Sequence, residues 1–457
     1  MRGSTRRQFL GAALAASALA GCSDDAPRSA RATGSTTSSN TSSSTTSTTV
    51  VHAAGDRPDP TKPEGTVGLP QIEHIVVVMM ENHSFDNYLG TLGRGDGFTL
   101  DGAGKPTNAN PDADGKELRA FHMANTCQLR RQPSQAWNAT HAQWNNGAMD
   151  GFVRSDSGPV AMGYWDDSDL PFYAGLARTF PLCDRWFASC MGQTYPNRRF
   201  LLAGTARGNI RTTLDTVKDP PPPNGTIMEQ LDRHSIPWKN YYSSLPTVAL
   251  YPYLSDSFTG KVEKIDQFHL DAAAGTLPAF SLVEPDFDNN SEENPDDITK
   301  GESFAAGVIN AAMAGPAWSK TLLIWTYDEH GGYYDHVPPP AAVAPDDVPP
   351  KLEPGDVAGG YDRYGFRVPA VIVSPWARKD HISHVVHDHT SVLKLLHTKF
   401  NLPALTARDA NADDLLDSLD FSGSPAFLTA PALPKPKNPS DTQPLCTAPG
   451  PIPNPAG

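Results

Sequence analysis

Positive charge is scarce in this chain: 37 lysines and arginines stand against 51 acidic residues, a formal net charge of −14 over 457 residues. Without a basic footprint, nucleic acid is excluded as a general partner. The usual catalytic signatures are missing as well. No GxSxG, HExxH or CxxC occurs, and Gly104-Lys105 is followed by Pro106 rather than completing a phosphate loop. A nucleophile elbow, a zincin helix and a zinc ribbon are therefore set aside. No apolar run is long enough to span a bilayer, and no internal repeat is visible. Proline, by contrast, is plentiful at 43 residues, which implies many irregular connections. The clusters at 220–223, 338–354 and 431–457 read as surface loops and a C-terminal tail, since proline cannot serve a central strand.

The first 22 residues read as an export signal. Arg6-Arg7 supplies a twin-arginine pair, a short apolar stretch comes next, and Leu19-Ala20-Gly21-Cys22 resembles a lipobox in which Cys22 is lipidated. The expectation is twin-arginine export followed by membrane anchoring through Cys22, or secretion. Residues 23–64 are rich in serine and threonine and cannot bury enough apolar surface to fold, so they are expected to form a disordered tether. Residues 65–430 form the folded domain in this reading, and 431–457 the tail. Cys127, Cys183, Cys190 and Cys446 remain. In an exported protein four cysteines suggest two disulfides, with the pairing open.

Three apolar runs in the body read as buried strands: residues 75–80, 321–327 and 368–374. Helical periodicity marks 303–313 and 390–400, the second with Asp388 as its expected cap. Alternating strands and helices predict an α/β fold with a mostly parallel central sheet, whose ligands gather at the carboxyl ends of the strands. Two of the runs end in acid there, Glu81-Asn82 after the first and Asp328-Glu329 after the second. Carboxylates and amide carbonyls are the ligands hard divalent cations want. Taken alone, the same residues also suit solvated or capping acids.

A third segment, GQTYPNR at 192–198, places the Thr194 hydroxyl at a turn entering a helix, where N–H groups favour phosphate. Threonine is a poor nucleophile unless a metal or base activates it. Arg198 is of a type that pairs with phosphate oxygens. A turn with a helix cap would account for the segment equally well.

In order along 71–400, the stretches ENHSFDNYLG (81–90), GQTYPNR (192–198), TYDEHGGYYDHV (326–337), YGFRVPAVIVSPWAR (364–378) and HDHTSVLKLL (387–396) resemble the bacterial phosphoesterase family. That family holds phosphatidylcholine-type phospholipases C and a group of acid phosphatases, with a fold similar to alkaline phosphatases and sulfatases. The resemblance implies Thr194 as nucleophile, passing through a phosphothreonine. It implies Glu81, Asn82, Asp328 and Glu329 as ligands of a divalent metal, whether calcium, magnesium, manganese or zinc. It further implies catalytic roles for Arg198 and His336, and substrate contacts from Asn197, His387 and His389.

The chain departs from the family at two positions. Gln135 stands where members carry a histidine near a tryptophan, and Asn294 stands before Pro295 where they carry histidine-proline. Both keep hydrogen bonding for substrate but lose proton transfer. The expected activity is phospholipase C-like cleavage of a phosphate ester, a phospholipid among the candidate substrates. A phosphomonoesterase and a non-catalytic surface lipoprotein are the alternatives. Trp137, Trp144, Trp165 and Trp186 are candidate aromatic walls for a choline group, or else core residues.

Overall fold

The computed structural model describes residues 51–128 and 133–438. Residues 1–50, with Cys22, and Cys446 lie outside the described residues. Eight strands form the main sheet: β1 (His74–Met80), β2 (Leu182–Cys183), β3 (Trp238–Tyr242), β4 (Val262–Lys264), β5 (Phe280–Glu284), β6 (Thr321–Tyr327), β7 (Ala370–Val373) and β8 (Ile382–Ser383). Their order is β8-β2-β7-β6-β1-β5-β3-β4. All run one way except β7, which is antiparallel to both its neighbours.

The central strands are hydrophobic without alternation because helices cover both faces of a parallel sheet. Every residue of β6 is buried, as is every residue of β1 after His74. Five helices position the site and its surroundings: α1 (Phe85–Leu89), α2 (Trp137–Trp144), α3 (Thr194–Ala203), α4 (Ile298–Ala314) and α5 (Thr390–Phe400). Helix α4 packs on β1 and β6, and α3 packs on α5.

The predicted strands are present, but the third is only Ala370–Val373 and runs antiparallel. Pro369 lies just outside it, as a residue without an N–H must. The helix expected at 303–313 begins earlier, at Ile298, because Asp297 caps it by accepting from Thr299 N–H. Asp388 is not the cap of α5; His389 holds that position without a side-chain cap bond. Asp388 instead accepts from the hydroxyls of Ser189 and Thr390.

Two further expectations are corrected. The segment assigned to the tether is ordered before residue 65: Gly55 N–H donates to Ala404 O, and Asn401 bonds Asp59, Lys62 and Pro63. Cys183 and Cys190 are buried free thiols, while Cys127 is disulfide-bonded, so two disulfides do not form from these four. The apolar surroundings that exclude water also push both thiols up, Cys190 to about 12.

Candidate active site

Strands β1 and β6 are parallel neighbours in register from His74↔Thr321 to Met80↔Tyr327. The residues after them must therefore emerge side by side, one strand spacing of ~4.8 Å apart. Those residues are Glu81-Asn82 and Asp328-Glu329, and all four are buried. The backbone continues the pairing for one step, Asp328 N–H donating to Met80 O at 3.2 Å. Strand β5, on the other side of β1, ends in a fourth buried acid, Glu284.

A cation meets this acid group from the helix side. Arg198 is 1% exposed and donates through Nε to Asp328 Oδ2 at 2.8 Å and through Nη1 to Glu284 Oε1 at 2.6 Å. Its Nη2 lies 3.6 Å from Glu81 Oε1. Arg198 is thus a buried clamp on carboxylates. The clamp also orients α3. Thr194 is four residues earlier on the same helix, so its side chain shares the face that Arg198 turns toward Asp328. Pro196 is tolerated because the first turn of a helix has no internal partners for its N–H groups.

Four carboxylates against one guanidinium leave an excess of buried negative charge, which is unstable without protons or a further cation. Burial, reinforced by the charge of Asp328, raises the pKa of Glu329 well above the usual carboxylate range; the charges of Glu293 and Glu81 add to it. Glu329 Oε1 and both amide atoms of Asn82 are buried with no hydrogen-bond partner. Orphaned oxygens beside carboxylates are the donor set of a hard divalent cation, so Glu81, Asn82, Asp328 and Glu329 fit a metal. The two glycines of the DEHGG segment keep this corner tight. Gly331 and Gly332 have φ of +68° and +82°, and a Cβ on them would sit 2.0 Å from Asn82 O and 2.6 Å from Ser134 N.

Thr194 opens into a cavity of about 470 Å³ that Ser134, Gln135, Asp156, Thr212 and Glu293 also line. Gln193, the residue before Thr194, is pinned by accepting from Thr212 N–H at 2.9 Å. Of the sequence-predicted substrate residues, only Gln135 lines this cavity. Asn197 is a brace: its amide donates to Gly192 O and Gln193 O and accepts from Cys190 N–H, fixing the turn that presents Thr194. Asn294 follows Glu293 in sequence, is buried and does not line the cavity. His389 donates from Nε2 to the Asp328 carbonyl at 2.7 Å and so supports the acid corner from behind.

His336 belongs elsewhere. Its Nδ1 is 2.6 Å from Asp86 Oδ2, within a network where Arg367 pairs with Asp86 and Asp335. Burial pulls its pKa down, but the hydrogen bond and charge of Asp86 outweigh that and hold it at about 9. It is a charged structural partner there, not a group on the cavity. His387 bonds Ser383 beside β8 and does not line the cavity either. None of the four tryptophans lines it, and Trp137, Trp165 and Trp186 are core residues.

Sequence reasoning missed Glu284, Glu293 and Asp156. Glu284 repeats the sign that marked Glu81, an apolar run ending in acid, but Ser281 interrupts the run. Glu293 and Asp156 sit in irregular segments, and nothing in their local sequence marks them as cavity residues.

The profile of the Phosphoesterase family matches residues 72–403. Phospholipase C B of Mycobacterium tuberculosis is 31% identical over 416 residues, covering 78% of this chain and 79% of that protein. Non-specific phospholipase C1 of Arabidopsis thaliana is 31% identical over 379 residues, covering 74% and 69%. Among solved structures, a protein in the alkaline phosphatase superfamily from Vibrio parahaemolyticus matches 68% of this chain and 73% of its own at 12% identity and a TM-score of 0.36.

Proposed function

The chain belongs to the phosphoesterase family and is a phosphoric ester hydrolase; from that premise we propose that it cleaves phosphodiesters in the manner of its phospholipase C relatives, with Thr194 as nucleophile. The observation that carries this reading is the position of Thr194, at the start of α3, on the face clamped to Asp328 and open to the cavity. Thr194 Oγ1 forms a bond to phosphorus as the P–O bond to the leaving alcohol breaks. The hydroxyl's proton leaves Thr194, and the departing alkoxide takes one up to become the free alcohol. Water then hydrolyses the phosphothreonine ester and restores the hydroxyl. Glu81, Asn82, Asp328 and Glu329 would hold a divalent metal ion, which when bound lowers the hydroxyl's pKa and offsets charge on the phosphoryl oxygens. Asn197 keeps the Cys190–Gln193 turn in place, and Arg198 keeps the carboxylates from repelling one another apart.

Diesters are favoured over monoesters by the cavity's charge. Asp156 and Glu293 line it, and no lysine or arginine does among the described residues. A dianionic monoester meets more repulsion there than a monoanionic diester. The 1–22 segment supports a proposed location outside the cytoplasm, by twin-arginine export with anchoring through Cys22. Loss of acyl labelling in Cys22→Ala tests the anchor.

The activity is tested by giving wild type and Thr194→Ala p-nitrophenylphosphorylcholine and p-nitrophenyl phosphate, before and after chelation. The expected result is preference for the diester, loss on chelation with recovery on adding metal, and loss in Thr194→Ala. Unchanged turnover in Thr194→Ala refutes the nucleophile.

A further inference from the structure

His387, moved out of the substrate site by the structure, sits in a second cluster at the sheet edge. Its side chain is wholly buried, and Nε2 lies 3.0 Å from Ser383 Oγ. The Ser383 hydroxyl oxygen also accepts from Val385 N–H at 3.3 Å. With Nε2 occupied by Ser383, Nδ1 is the ring nitrogen left for a further partner, and a neutral ring with its hydrogen on Nε2 presents a lone pair there. That nitrogen has no hydrogen-bond partner, and it faces Asp413 Oδ1 at 3.4 Å. A lone pair buried against a carboxylate oxygen is repulsive unless a cation lies between them. Burial also pulls the pKa of His387 down to about 4, consistent with a neutral ring.

The rest of the cluster supplies further donors. Asp417 places Oδ1 3.9 Å from His387 Nε2 and Oδ2 3.4 Å from His381 Nε2. Donor atoms from His387, Asp413 and Asp417 all lie within 4.8 Å of one another. Ligands ~2.0–2.2 Å from a tetrahedral ion stand roughly 3.3–3.6 Å apart, so the 3.4 Å separation of Nδ1 and Asp413 matches one edge. The aspartate side chains are 35% and 27% exposed, which gives an ion a path from solvent.

We infer that His387 Nδ1, Asp413 and Asp417, with His381 at their edge, bind a second divalent cation separate from the Thr194 site. Imidazole combined with carboxylate suits a zinc-class ion better than calcium or magnesium. The ion ties the segment holding Asp413 and Asp417 to the one entering α5. Two residues on, His389 holds the Asp328 carbonyl, so the site steadies the acid corner without touching it.

The test counts Zn²⁺ bound per chain, by equilibrium dialysis and elemental analysis, in the full chain and two double variants. Wild type and Glu81→Gln/Glu329→Gln are expected to hold a Zn²⁺ equivalent that Asp413→Asn/Asp417→Asn lacks. These aspartates are part-exposed, so the variant is expected to fold, with near-ultraviolet circular dichroism as the check. Should it not fold, Asp413→Asn alone is scored by the same count, with at least tenfold weaker binding expected. Equal Zn²⁺ counts in wild type and the aspartate variant overturn the proposal. So does loss of the only equivalent in Glu81→Gln/Glu329→Gln.

Discussion

Replacing Arg198 by methionine removes the cation clamped on the acid corner while keeping most of the volume of its stem. Two charge-assisted hydrogen bonds disappear, to Asp328 Oδ2 at 2.8 Å and Glu284 Oε1 at 2.6 Å, in a place where the arginine is 1% exposed. Neither carboxylate can turn to water, since both are fully buried. Removing one partner of a buried ion pair costs about 3–5 kcal/mol, because the other charge is left uncompensated. Glu284 keeps its bonds from Thr247 and Asn240, which argues for the lower half of that range. Urea denaturation in metal-free buffer should show the loss as a shifted midpoint at unchanged slope. Adding a divalent cation should recover part of it, since Glu81, Asn82, Asp328 and Glu329 would then share another positive charge. Arg198→Lys should fall between, a point charge being unable to span two carboxylates. A loss below about 1 kcal/mol in metal-free buffer would refute the idea that Arg198 neutralises buried charge there.

Other outcomes rest on neighbouring contacts. Gly331→Ala should weaken metal binding at least tenfold and lower the melting temperature, since its Cβ would meet Asn82 O at 2.0 Å; dialysis against Mn²⁺ checks this. His336 has a folded pKa of about 9 against an ordinary 6.5, so its contribution is complete below pH 6.5 and lost as pH rises through about 9. His336→Gln should therefore be less stable than wild type by roughly 3 kcal/mol at pH 6, the gap narrowing from pH ~6.5 and closed above pH ~9, as read by urea titrations. Glu292 is buried, which raises its pKa to about 8 despite accepting from Tyr88, Tyr173 and Tyr327. The folded state then binds the extra proton between about pH 4.5 and 8, so stability falls as pH rises through that window. Glu292→Gln, which mimics the protonated acid, should flatten the fall. Cys183 and Cys190 should react with a thiol reagent only after unfolding, at two equivalents per chain for this pair.

The parts legible in sequence are those decided locally. Unbroken apolar runs gave β1 and β6 because a strand covered on both faces has no polar side to alternate, and the acids at their ends stand out against that background. Glycines 331 and 332 and the GQTYPNR turn are likewise local, since backbone conformation needs particular residues at particular places. The same motif marks Asn197 and Arg198 as polar residues entering a helix, but not the turn and the carboxylates that they bond.

What only the tertiary structure decided is pairing. Sequence marks a residue as able to bond but not which distant residue will face it, and Arg198 stands 130 residues from Asp328 and 86 from Glu284. Arg198 meets Asp328 and Glu284 because parallel register brings three strand ends beneath one helix. His336 and His387 carry the chemistry expected of site histidines, but Asp86 claims one and Ser383, Asp413 and Asp417 surround the other. Glu293 and Asp156 joined the cavity of Thr194 through loop packing, which no periodicity encodes. Composition fixed what the chain can do chemically; the fold, by choosing which charges share low-dielectric space, decided where.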